Sequence, residues 1–319
     1  MPNAFIHRNP TADEVERIRL SISSFQDGSG QEKDADGTTR AGWRDLERVI
    51  AEILGGEGGE NKDVFDVIVP SADDGNTAFG LSLKSTELRR STAIQDLATT
   101  GRVYMELCNS PAKLWVPLKQ KHGVTEAEFS GQRHAKKVGD SVLETVHTWH
   151  AETKARYDSL GKRKLDLSRS VYLVISYSPQ RAGRPRRYQI HAFNLDYAKE
   201  IQWKYISDRC LRGFDPDHPD EVLFDWYGLS GGQLKYYPRA TTAVHLSPPF
   251  ELEQPRGVSI AEKCSRYWPK EWVAAKGTVP ISHASLATEF RAYVDLFADQ
   301  KTKETLNRVA DELRSIKKD

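Results

Sequence analysis

The sequence predicts an α/β fold with additional helical and β-hairpin elements, and three observations carry that expectation. Two short apolar segments, Val64-Phe65-Asp66-Val67-Ile68-Val69-Pro70 and Ala78-Phe79-Gly80-Leu81-Ser82-Leu83-Lys84-Ser85-Thr86, flank a polar turn and read as consecutive strands. Ahead of them, Trp43, Leu46, Val49, Ile50, Ile53 and Leu54 recur at helical spacing over residues 41–54, which gives a helix with one face to cover a sheet. Further on, residues 170–178 and 187–195 alternate in polarity around a turn rich in Pro, Gly and Arg, the pattern of a β-hairpin.

In chain order, Pro10-Thr11 caps a helix over residues 12–25, with Val15, Ile18, Leu20 and Ile22 as its apolar positions. Residues 26–40 are rich in Asp, Gly, Ser and Thr and read as a loop. Val64 to Val69 is short, β-branched and bounded by Asp and Pro, so it reads as a strand buried on both faces. An ionised Asp66 in its middle is costly without a cation or donors beside it. In the following strand, period-2 geometry puts Ser82 and Lys84 on one face and Phe79, Leu81 and Leu83 on the other. Pairing of the two strands as a hairpin brings Asp66 and Lys84 together.

Residues 91–97 read as a short helix opened by Arg89-Arg90-Ser91-Thr92, where backbone N–H groups and paired arginines can bind a phosphate. Residues 126–159 form a long polar helical region. Its His147 and His150 share an i, i+3 face but lack a third metal ligand, so they read as packing or surface histidines. Residues 285–318 carry Phe290, Tyr293, Val294, Phe297, Leu306, Val309 and Leu313 on one helical stripe, read first as core packing and second as a dimer seam.

An acid on one strand and Ser82-Leu83-Lys84 on the next resembles the PD-(D/E)XK nuclease superfamily. The resemblance covers roughly residues 40–100 and implies a restriction-endonuclease-like mixed β-sheet core flanked by helices. Two departures stand in the sequence: no proline precedes Asp66, and Ser82 occupies the position of the second carboxylate. Some restriction endonucleases of the superfamily share the S-x-K pattern and bring a carboxylate from elsewhere. Glu47, on the preceding helix, is the first candidate for that acid, ahead of Asp96 and Glu87.

What the resemblance implies is Mg²⁺-assisted hydrolysis of a phosphodiester. The metal is expected between Asp66, Glu47 and the Leu83 carbonyl. Lys84 serves the attacking water and offsets charge on the phosphate, and Ser82 donates a hydrogen bond to a water on the metal. With no helicase motif in the chain, the resemblance is to a stand-alone type II restriction endonuclease, a homodimer acting on double-stranded DNA. Two other readings remain open: a repair or defence nuclease of the same fold without short-site specificity, and a non-catalytic DNA-binding protein in which Asp66 and Lys84 form only a salt bridge.

Composition bounds the rest. The 319 residues are 38% hydrophobic, enough for a sizeable core, and the expectation is one large domain, with a catalytic core over about 40–195 and DNA-recognition and C-terminal helical elements over about 196–319. Lys plus Arg number 46 against 45 Asp plus Glu, so local clusters rather than net charge must meet a polyanion. Two clusters qualify besides Arg89 and Arg90: the hairpin turn with Arg181, Arg184, Arg186 and Arg187, and the aromatic, glycine-containing stretch 225–239 with Gln233, Lys235 and Arg239. Cys108, Cys210 and Cys264 are widely spaced, which fits a reducing cytosol and argues against structural zinc. No apolar run reaches membrane-spanning length, so the expectation is a cytoplasmic protein with no membrane partner.

Overall fold

The computed structural model describes residues 2–27, 31–34, 39–58, 64–88, 101–129, 131–179 and 186–252. The fold is mixed α/β, with four α-helices and several sheets among these residues. The chain divides into two compact units, one of residues 1–10 and 54–250, the other of residues 11–53 and 251–319. The C-terminal stripe at 285–318, the helix at 91–97 and Cys264 lie outside the described residues.

In the second unit, α1 (Ala12–Ser23) starts at a capping box: Glu14 N–H donates to Thr11 Oγ1 at 3.2 Å, and Thr11 N–H to the Glu14 carboxylate at 2.7 Å. The stretch expected as loop contains a two-stranded ribbon, β1 (Glu32–Lys33) against β2 (Thr39–Arg40), anchored by the Thr39 hydroxyl on the Phe25 carbonyl. Next comes α2 (Trp43–Leu54), opened by Asp45 accepting the Gly42 N–H at 2.9 Å. Leu46, Val49 and Ile50 are buried as the spacing predicts. Trp43 is 54% exposed, with the Arg44 guanidinium over its ring, because the first helical residue stands ahead of the buried stripe.

The first unit is built on a sheet of order β14–β9–β8–β5–β4–β3. Its strands are β3 (Glu57–Gly58), β4 (Val67–Pro70), β5 (Thr77–Glu87), β8 (Val171–Tyr177), β9 (Arg187–Asn194) and β14 (His245–Leu246). Pairing is antiparallel for β4 with β5 and for β8 with β9, but parallel for β5 with β8, so the sheet is mixed. The parallel pair at its centre needs a long crossover, and the chain between β5 and β8 supplies one. All seven residues of β8 are buried, as an apolar run inside a two-sided sheet requires. In β4 burial alternates, so that strand is not buried on both faces.

The crossover carries β6 (Met105–Cys108), α3 (Pro111–His122) and α4 (Ala135–Ser159). Proline at the first turn of α3 and a left-handed Gly123 whose N–H caps Leu118 O delimit that helix. A second, antiparallel sheet has the order β10–β11–β12–β13–β6, formed by β10 (Gln202–Ser207), β11 (Cys210–Phe214), β12 (Val222–Trp226), β13 (Leu234–Tyr236) and β6. Trp115, Phe129, Trp226, Phe224 and Tyr236 pack with Tyr172, Val174 and Phe193 of the first sheet and Val138, Val142 and Val146 of α4 in one core. No described helix is long and apolar enough to cross a membrane.

Candidate active site

Asp66 stands one residue ahead of β4, its N–H donating to the Leu81 carbonyl of β5 at 3.0 Å. The antiparallel register of the two strands then carries its carboxylate alongside the next residues of β5. Leu83 N–H donates to Asp66 Oδ2 at 2.7 Å, and Lys84 Nζ lies 3.7 Å from the same oxygen. Both side chains are 23% exposed, so the pair is neither sealed nor free in solvent. At 3.7 Å the contact is an ion pair beyond direct hydrogen-bond length.

Burial raises the Asp66 carboxyl above the usual carboxylate range, in spite of the opposing pull of the Lys84 charge and the Leu83 N–H. Lysine alone therefore does not compensate the desolvated acid. Ser82 shares the Lys84 face and is only 2% exposed, directly in register with Tyr172 of β8. The apolar set Phe79, Leu81 and Leu83 is buried on the other face, as period 2 predicts.

Behind Asp66, the ring of Phe65 lies flat on the backbone of Gly80. A Cβ at Gly80 would meet Phe65 Cγ at 2.4 Å. The same ring stacks on His150 of α4, with centroids 5.8 Å apart. His150 Nε2 is 3.2 Å from the Tyr172 hydroxyl, which also bonds the Tyr197 hydroxyl, and His147 stacks on Tyr197. The two histidines thus pack, as expected, and burial and the neighbouring His147 hold the His150 pKa down at about 4. Phe65, Gly80 and His150 were not legible as a supporting group, although a glycine inside a strand does signal close approach of another group.

The other candidates are dispersed. Glu87 lies on the opposite face of β5 from Lys84 and pairs with Arg186 at 2.7 Å. Glu47 sits on α2, half-buried, in the second unit. Asp96, Arg89, Arg90, Arg181 and Arg184 lie outside the described residues. Arg186 also reaches the Ser178 carbonyl, and Arg187 opens β9 with its N–H on the Ser178 hydroxyl.

In the second sheet, Lys235 Nζ stands over the rings of Tyr104 and Tyr227, and Arg239 is bidentate to Glu221. Arg102 joins the same carboxylate and that of Asp215, and the arginines hold the Glu221 carboxyl down to about 2. Gln233 accepts the Tyr227 N–H on its carbonyl at 2.8 Å. The close approach permitted by Gly232, at φ +68°, is to Pro111 at the start of α3.

No group of three or more His, Cys, Asp and Glu side chains gathers among the described residues to hold a metal. A hard cation has two oxygen donors to fit within the first unit. One is Asp66 Oδ1. The other is the Leu83 carbonyl, which projects to the same strand edge as the Leu83 N–H that meets Asp66. Such a sparse set suits an ion that keeps most of its water shell. No protein-family model, curated protein or solved structure matches the chain.

Proposed function

We propose that the protein is a Mg²⁺-dependent endonuclease that hydrolyses phosphodiester bonds of double-stranded DNA, with a restriction-endonuclease-like core and the character of a type II restriction enzyme. The observation that carries this reading is the convergence of the Asp66 carboxylate, the Leu83 peptide and the Lys84 ammonium at one half-open strand edge. The Asp66 carboxyl is raised by burial in spite of the lysine beside it, which an ion pair alone does not compensate and a bound cation would.

In this reading Asp66 and the Leu83 carbonyl would hold the cation. When bound, Mg²⁺ lowers the pKa of water and neutralises charge on the phosphate. Lys84 orients the attacking water and donates to the phosphate oxygen as negative charge builds there. The attacking water gives a proton to solvent as its oxygen bonds to phosphorus, the bond to the leaving ester oxygen breaks, and that oxygen takes up a proton from solvent. Ser82, buried on the Lys84 face, would donate a hydrogen bond to a water on the ion.

Arg186, Arg187, Gln233, Lys235 and Arg239, together with Arg89, Arg90, Arg181 and Arg184, are the proposed DNA contacts. Arg186 and Arg239 would exchange carboxylate partners for phosphates on binding. A homodimer would present two such sites to a two-fold symmetric sequence. The test is incubation of the purified protein with unmethylated duplex DNA in Mg²⁺ or in EDTA. Discrete fragments formed only with Mg²⁺ support the proposal; metal-independent binding without cleavage of diverse duplexes rejects it in favour of a non-catalytic DNA-binding protein.

A further inference from the structure

A second polar group lies on the Lys84 face of the first sheet, deeper than the ion pair. Register defines it: Lys84 pairs with Val174 and Val174 with His191, while Thr86 pairs with Ser176 and Ser176 with Gln189. Residues paired across strands project to the same side, so Lys84, Thr86, Ser176, Gln189 and His191 share one face of three adjacent strands. Ser176, Gln189 and His191 are at most 1% exposed. Their atoms Ser176 Oγ, Gln189 Oε1 and His191 Nδ1 nonetheless have no hydrogen-bond partner among the described residues.

The orientation of the Gln189 amide is fixed, because its Nε2 donates to the Ser247 carbonyl at 3.1 Å and an exchanged amide would face oxygen to oxygen. The unpaired Oε1 is therefore a property of the site. One such atom is tolerable, but three in neighbouring positions of one sheet face point to a common partner. That partner must be small, because the three atoms are closed to solvent. It must also be able to donate to Oε1 and to complement a hydroxyl and an imidazole.

Ser176, Gln189 and His191 bring neither a carboxylate nor a cation of their own, and burial keeps His191 neutral, its pKa held down at about 4. These neutral donors and acceptors suit neither a divalent ion nor a phosphate. A water can donate to Oε1 and complement the hydroxyl and the imidazole, about three contacts being usual for a buried molecule. We propose that Ser176, Gln189 and His191 form an internal water-binding site that bridges β8 and β9 beside the strand carrying Lys84. The inference is independent of the nuclease reading.

Two measurements on the full-length protein test it: a high-resolution crystal structure, and thermal unfolding of Ser176→Ala and Gln189→Met. The expected result is ordered density within hydrogen-bond distance of at least two of the three atoms, with each variant unfolding roughly 2–4 °C below wild type. Absence of ordered density overturns the proposal by itself, whether or not a variant folds, and so does an ion at the position. Variants that unfold at the same temperature or higher also overturn it, since relief of an unpaired polar atom by apolar atoms is stabilising.

Discussion

Lys84 Nζ lies 3.7 Å from Asp66 Oδ2, across two antiparallel strands, and the Leu83 N–H holds that same oxygen at 2.7 Å. The acid is thus fixed in place by the backbone while its charge is only partly met by the lysine. Replacing Lys84 by Met removes the attraction and leaves burial unopposed, so the Asp66 carboxyl moves further up. The fold survives at a cost of about 1–3 kcal/mol. Carboxyl ¹³C titration of wild type and Lys84→Met measures the move, and an unchanged or lower Asp66 pKa would contradict it.

Because the folded-state pKa of Asp66 is raised, the folded protein binds the proton more tightly than the unfolded chain. Its contribution to stability therefore falls as pH rises from the ordinary value of 3.8 through the raised one. A cation at Asp66 opposes that loss. Added Mg²⁺ is expected to raise the unfolding temperature more at neutral pH than near pH 4, and Asp66→Asn abolishes the difference; a shift unaffected by pH or by Asp66→Asn would place the ion elsewhere.

Phe65 connects Asp66 to the interior, lying against the Gly80 backbone and stacking on the His150 ring. Gly80→Ala puts a methyl group into the Phe65 ring and forces a shift costing about 1–3 kcal/mol. The displaced ring moves Asp66, so the variant is expected to alter the Asp66 titration while retaining native secondary structure. A Gly80→Ala protein with wild-type stability and an unaltered Asp66 titration would show that the wedge has no positioning effect.

His150 and His191 are buried neutral, each with its pKa held at about 4 against the ordinary 6.5. Between those values the unfolded chain binds more protons than the folded one, so stability declines as pH falls from 6.5 toward 4. By pH 4 the loss is on the order of 3 kcal/mol per histidine. Denaturant unfolding across this range should show the decline, and its reduction in His150→Asn; a flat profile would mean that both rings take up protons in the folded state.

Glu221 gives the opposite pattern. Arg239 and Arg102 hold its carboxyl down to about 2 from 4.5, so the stability it contributes is present above 4.5 and lost as pH falls through about 2. Glu221→Gln is expected to lower the unfolding temperature slightly at pH 7, the effect being moderated by solvent and salt, and to leave it unchanged at pH 2. Equal losses at both pH values would point to packing rather than charge.

The pairing of Asp66 with Lys84 was legible because a β-hairpin and period-2 alternation together fix which side chains meet. The hairpin β8–β9 and the capped helix α1 were legible for similar local reasons. The second sheet was not, because β6 joins β13 over more than 120 residues of sequence and no local pattern encodes such a pairing. The helix α3 carries Pro111 in the tolerated first turn and Pro117 in its interior, where proline is unfavourable, so its local pattern signals a helix weakly. The destinations of the arginines were equally hidden: Arg186 and Arg239 end on carboxylates, Glu87 and Glu221, that are brought near only by tertiary folding.

The most direct test of the central claim is the rate of duplex DNA cleavage in Mg²⁺ by wild type, Asp66→Ala and Lys84→Ala, with folding of each protein verified by circular dichroism. The account predicts Mg²⁺-dependent cleavage by wild type and a loss of at least about 10²-fold in each folded variant. Cleavage by either variant at the wild-type rate, or none by the folded wild-type protein on any duplex, would contradict it.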